Sequence, residues 1–162
     1  MKHKINIRLS LVSLIAIVAT VIGLTCVYYN LFQQKVRDDL KQNARLLVET
    51  GVFQTSDNSI EHQEKTIENL SSGNLRITWI NENGKVIFDN DTDISGLSNH
   101  MDRPEIQMAV AKGEGESTRH ADTMNMDTFY YALLLENGTI LRVSTQAITV
   151  PRIILTALPV IL

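Results

Sequence analysis

The chain contains a single cysteine, Cys26, and it falls inside a long apolar run. One cysteine excludes a disulfide framework. Its position also excludes a cysteine-based metal centre in the polar part of the chain. A basic excess is missing too: 15 Lys and Arg stand against 18 Asp and Glu, for a formal net charge of -3. Binding nucleic-acid phosphates needs a basic face, so nucleic acid is not expected as a partner.

Catalytic signatures are equally scarce. No serine sits in a nucleophile-elbow context. The segment GEGES at 113–117 has neither the length nor the lysine of a phosphate cradle. Asp89, Asp91 and Asp93 form part of a calcium-loop pattern, but the central glycine and the closing glutamate are absent. His120 and Asp122 are the other pair close enough to consider for a metal. A solvated turn is the simpler reading of these residues, and no metal site is expected.

Leu9–Phe32 (LSLVSLIAIVATVIGLTCVYYNLF) is the dominant positive feature. It exceeds the roughly 20 apolar residues that span a bilayer. Lys2, Lys4 and Arg8 precede it, which predicts a cytoplasmic N-terminus at 1–8 and an extracytoplasmic stretch after the span. A cleaved signal peptide would have a shorter apolar core. A lipid-modified cysteine would need an aliphatic residue three places before it, where Gly23 stands. Tyr28 and Tyr29 suit the headgroup interface. Near the other end, 153–162 (IILTALPVIL) is about half a span, and Pro151 suits the first turn of a helix. The residues at 151–162 therefore read as the truncated start of a second transmembrane helix, leaving 33–150 as one domain of ordinary size.

Within that domain, Val36, Leu40, Ala44, Leu47 and Val48 recur at helical spacing among charged residues. The span is expected to continue as an amphipathic helix able to transmit movement, with Val36, Leu40, Ala44 and Leu47 as the transmitting stripe. TSDNS at 55–59 should break it, and a second short helix is expected at about 60–70. Leu75, Ile77 and Trp79 alternate with Arg76 and Thr78, and Asn83-Gly84 is a hairpin signal. Lys85–Asp89 is the predicted return strand, with Trp79 and Phe88 as core anchors. After an irregular connection, Asp102, Pro104 and Glu105 suggest a helix start with a capping box. Ile106, Ala109 and Val110 would face inward, and Gly113 would end the helix. Strands are expected at about 116–121, 128–135 and 139–145, the last two joined by an Asn137-Gly138 turn. Short turns throughout predict an α+β fold, with an antiparallel sheet of about five strands and helices on one face.

The amphipathic helix leaving a span, WINENGKVIFDN, NHMDRPEI, GEGES and ENGTILRVST follow one another in a joint pattern. Over about Leu75–Thr145 this pattern resembles the extracytoplasmic PAS-like (Cache-like) sensor region of bacterial sensor histidine kinases, of the phosphate-regulon sensor type. The resemblance implies a homodimer in the cell membrane that responds to an unknown small-molecule or protein stimulus. Further along the chain it implies a two-component kinase with ATP and Mg, acting on a cytoplasmic response regulator. The same input domain could instead feed a chemoreceptor or a cyclic-dinucleotide enzyme, or could be an anchored partner-binding domain without signalling output. No catalytic residue is expected in 1–162. His62, His100 and His120 lie in HQEKTI, HMDRPEI and HADTMN, none of which is a phosphoacceptor setting. No cofactor is expected within these residues. The PAS-like pocket implied between sheet and helices points to His100, Arg103, Arg119 and Tyr130 as ligand contacts. An anionic ligand would suit the guanidinium forks of Arg103 or Arg119. The plainer alternative pairs Arg103 with Asp102 or Glu105 and leaves Arg119 on a wet strand face.

Overall fold

The computed structural model describes residues 2–53, 74–121 and 126–148. The expected helix at 60–70, the break at 55–59 and the second apolar segment at 151–162 lie outside the described residues. Helix α1, Lys2–Glu49, is unbroken over 48 residues. The chain divides within it into two compact units, Met1–Lys35 and Val36–Leu162.

The first unit is helix alone. It is long and apolar enough to cross a membrane, with a stretch of mean hydropathy 2.5 and no burial against protein. Leu9, Ile15, Val21, Leu24 and Leu31 are all exposed, as residues facing lipid would be. Three of its hydroxyls are satisfied internally. Ser13, Thr20 and Thr25 donate to the carbonyls of Leu9, Ala16 and Val21, one turn back, which removes the penalty of an unpaired hydroxyl in hydrocarbon.

The second unit is built on a five-stranded antiparallel sheet. Its strands are β1 (Arg76–Ile80), β2 (Val86–Asp89), β3 (Glu114–Ala121), β4 (Met126–Leu134) and β5 (Ile140–Ile148), in the order β2-β1-β5-β4-β3. The Asn-Gly turns form as expected, with Gly84 at φ 81° and Gly138 at φ 80°, values that favour glycine. The class is α+β, as the pattern predicts.

The two faces of the sheet carry different chemistry. On one, Ile77, Trp79, Phe88, Phe129, Tyr131, Leu141 and Val143 pack with Leu40, Ala44 and Leu47 of α1 and with Phe53. The helical stripe at 36–48 is therefore buried in this core, Val36 and Val48 partly so. Phe53 meets Trp79 edge-on at 5.4 Å between ring centroids. On the other, a smaller cluster joins Ile80, Val86, Ala132 and Ile140 to Ile106 and Ala109 of helix α2 (Pro104–Lys112). The helices, expected on one face, thus divide between both. Strand alternation explains it, because Ile80 and Ile140 point away from the α1 face and need their own cover.

Two details of α2 differ from expectation. Its N-cap is Arg103, without a side-chain cap bond, because the Glu105 carboxylate turns to the sheet instead of closing a capping box. Val110 is 51% exposed, since Ile106 and Ala109 already fill the narrow contact. Gly113 ends the helix in the left-handed region at φ 89°. β3 then begins two residues earlier than expected, and β5 runs on to Ile148.

Candidate functional site

Half of the α2-side face is apolar and half is polar. The polar half grows from alternation in four strands. Arg76 and Thr78 of β1 pair with Ser144 and Arg142 of β5, Ser144 pairs with Tyr130 of β4, and Tyr130 pairs with Ser117 of β3. These residues share one surface because strand partners point the same way.

Glu105 is the hub, with no exposure to solvent. It accepts from Ser117 Oγ at 2.6 Å and from Arg119, whose Nη2 lies 2.7 Å from both carboxylate oxygens. Arg142 Nη1 lies 3.5 Å away on the other side. Burial opposes the charge on Glu105. The bonds from Ser117 and from its own backbone N–H, with the Arg119 guanidinium, outweigh burial and hold the carboxyl below its usual range. Arg142 is itself buried, and burial pulls its guanidinium down from the usual value while Glu105 opposes that shift. It donates to Thr78 Oγ1 at 3.1 Å, and Thr78 donates to Asp89 at 2.8 Å. Asp89 also accepts from Arg76 Nε and from the backbone N–H groups of Asp91 and Thr92. The aspartate run is accordingly a tight hydrogen-bonded turn, and among the described residues no group of three His, Cys, Asp or Glu could hold a metal.

The four expected contact residues fall around this network in different roles. Arg119 and Tyr130 meet directly, the guanidinium carbon 4.2 Å from the ring centroid, with Arg142 at 5.3 Å from the same ring. Arg119 is thus engaged by both Glu105 and Tyr130. His100 is buried at 5% exposure, positioned by its backbone N–H donating to Gly84 O at 2.8 Å. Burial and the charges of Arg142, Arg103 and Arg76 push its imidazole down to about 4, against a weaker pull from Asp89. Its Nδ1 has no hydrogen-bond partner among the described residues, nor does Nε of Arg103 or of Arg142. Arg103 Nε lies 3.6 Å from Asp102, too far for a hydrogen bond. The pairing considered between Arg103 and Glu105 is made by Arg119 instead.

The sequence reading missed Glu105, Arg142, Thr78 and Arg76 as members. A signal for Arg142 was present: it alternates with Ile140 and Ser144, and an arginine on an inward-facing strand position needs a buried partner. Glu105 had an adequate local explanation as a cap, which hid its long-range role.

Beside the network, a cleft of about 410 Å³ is lined by Arg76, Asn90, Asp91, Thr128, Tyr130 and Ser144, among others. Its polar walls can hold a small molecule, and nothing in them forms a nucleophile-and-base pair. His120 Nδ1 lies 2.8 Å from Asp127, but across the β3–β4 pair and outside this lining.

No family model matches the chain, and no curated protein is similar enough to match. Among solved structures, the chain is similar to the Bacillus subtilis YkuI protein, with an EAL domain, in complex with substrate c-di-GMP and calcium. The TM-score is 0.45 at 10% identity, over 74% of this chain and 35% of that one. At that level the likeness does not establish a common fold.

Proposed function

We propose that the chain is the extracytoplasmic sensor and signal-transmitting segment of a membrane-bound two-component sensor histidine kinase. The observation that carries this reading is the composition of α1. A stretch apolar enough to span a bilayer continues, without a break, into residues buried in the core of a sheet domain. Leu40, Ala44 and Leu47 cannot shift without disturbing Ile77, Leu141 and Val143. A change in the packing of the domain therefore has a path into the helix. Such coupling requires two states that bind the stimulus differently.

The basic residues before the span support a cytoplasmic N-terminus, with residues 33–150 outside the cell. A homodimer would place two α1 helices within reach of each other, and a response regulator would receive the phosphoryl group inside. His100 and Tyr130 remain proposed ligand-side residues, whereas Arg119 acts through Glu105 and Tyr130.

Reading the frame beyond Leu162 tests this. A completed span followed by a phosphoacceptor-histidine helix and an ATP-binding domain is the expected result. A stop codon soon after the span would overturn the signalling reading. A methyl-accepting coiled coil or a cyclic-dinucleotide domain would keep the sensor and replace the kinase.

A further inference from the structure

The cleft beside the buried network has an unusual charge arrangement. Arg76 spends its Nε on Asp89. Its terminal nitrogens make no hydrogen bond to any described residue. Nη1 lies only 3.4 Å from Asp91 Oδ2, without hydrogen-bond geometry, and the Asp91 side chain is 65% exposed. One guanidinium fork and one carboxylate thus open into the same cleft, close together and loosely paired. The other wall is neutral: Thr128, Tyr130, Ser144, Thr145 and Gln146. Their side chains make no hydrogen bond to any described residue either, although Ser144 is 2% exposed and Tyr130 is fixed by two guanidiniums.

The charges behind the wall cancel. Arg119 and Arg142 stand against Glu105 and Asp89, with Arg76 and Asp91 as the remaining opposite pair. A simple anion entering the cleft would meet Asp91, and a simple cation would meet Arg76. A ligand carrying both charges on neighbouring atoms satisfies both. Its carboxylate takes the open fork of Arg76 in the planar geometry that guanidinium favours, and its ammonium takes Asp91. The volume, at the small end of the usual range of about 300–1,000 Å³, suits a free metabolite rather than a peptide or a nucleotide.

We infer that this cleft binds a free α-amino acid, with Arg76 holding the carboxylate, Asp91 the ammonium, and the hydroxyls of Thr128, Tyr130 and Ser144 contacting its polar groups. The inference rests on reading the domain as an input module and names the chemical class of its stimulus.

The test uses the full chain in detergent micelles, with thermal unfolding and calorimetry against the common L-amino acids, L-lactate and L-alaninol. Lactate keeps the carboxylate and loses the ammonium; alaninol does the reverse. At least one amino acid should raise Tm saturably, and both analogues should bind roughly tenfold to a hundredfold more weakly than alanine or not at all. Asp91→Asn should weaken amino-acid binding by a similar factor while leaving the unliganded Tm unchanged, because Asp91 is a rim residue. Arg76→Lys, which keeps a cation beside Asp89 but loses the fork, should weaken it as well. Lactate binding as tightly as the amino acid, or unchanged affinity in Asp91→Asn, would overturn the zwitterion assignment and leave small-molecule sensing standing. No response to any compound would also overturn it, while the kinase reading would still be decided by the frame beyond Leu162.

Discussion

Removing the Glu105 carboxylate should cost more than any other single change on the polar face. In Glu105→Ala, Ser117 and Arg119 lose an acceptor, but Ser117 can be served by water and Arg119, one-third exposed, can turn outward. Arg142 has no such exit. Its side chain is 4% exposed, its Nε is already unpartnered, and its remaining acceptor is the Thr78 hydroxyl. Stripping one partner from a buried pair costs about 3–5 kcal/mol, because the other charge stays buried and uncompensated. Against a total stability of about 5–15 kcal/mol, that is a fifth or more. The protein's one tryptophan, Trp79, lies in the opposite core at 7% exposure and reports unfolding of the same sheet by fluorescence. Urea unfolding of the full chain in micelles should show a lower midpoint with an unchanged slope. The double variant Glu105→Met with Arg142→Met should recover most of the loss, since apolar replacement of a whole buried pair is often neutral. A loss below about 1 kcal/mol in Glu105→Ala, the value of an exposed pair, would refute a buried hub. So would a double variant no better than the single one.

Two further outcomes follow from the same face. His100 titrates near 4 when folded and near 6.5 when unfolded, so the unfolded state binds more protons between those values. Stability should therefore be full above about pH 6.5 and fall as pH drops towards 4, by on the order of 3 kcal/mol. Denaturant midpoints measured across that window should show the slope, and His100→Asn should flatten it. Gly115→Ala should destabilise the domain by about 1–3 kcal/mol, because a Cβ there would collide with the Glu105 carbonyl and reach 2.7 Å from Met108 Cβ. A neutral result by thermal unfolding would mean that α2 sits farther from β3 than described.

What the sequence revealed, and what it hid, divides by the range of the interactions. Local chemistry was legible. Asn83-Gly84 and Asn137-Gly138 marked turns because few residues tolerate positive φ, and Gly113 marked the end of α2 for the same reason. Period two put Ile77 and Trp79 on one face of their strand and Leu141 and Val143 on one face of theirs, and period 3.6 put Leu40, Ala44 and Leu47 on one side of α1. Long-range choices were not legible. Glu105 had two satisfactory fates, capping its own helix or reaching 12 residues on to Ser117. The sheet fold decided between them by offering Arg119 and Arg142 as well. Strand order was equally hidden: β1 pairs with β5 across more than 60 residues of chain, and that pairing brings Thr78 and Arg76 beside Arg142 and Ser144. The division of helices between two faces follows from it, since the order decides which apolar positions lie together and need cover.

Two consecutive residues of β3 join the polar face to the helix that carries the apolar span. Gly115 packs directly beneath α2, where its missing Cβ lets the Glu105 carbonyl and Met108 approach. Glu114, one step before it, points to the opposite face, as strand alternation requires. There it accepts from Lys41 Nζ at 2.7 Å and from the Tyr131 hydroxyl, with Arg45 at 3.7 Å. Lys41, Tyr131 and Arg45 together hold the Glu114 carboxyl below its usual range. A shift of α2 large enough to disturb Glu105 must move β3, and β3 cannot move at Gly115 without moving Glu114 against α1. The Glu114 bonds are short and directional, and a single peptide unit separates them from Gly115. Loosening Glu114 should therefore uncouple the polar face from α1 at small cost in stability, since the pair is partly exposed and worth about 0–1 kcal/mol. That separation of coupling from stability distinguishes a transmitting contact from a merely structural one.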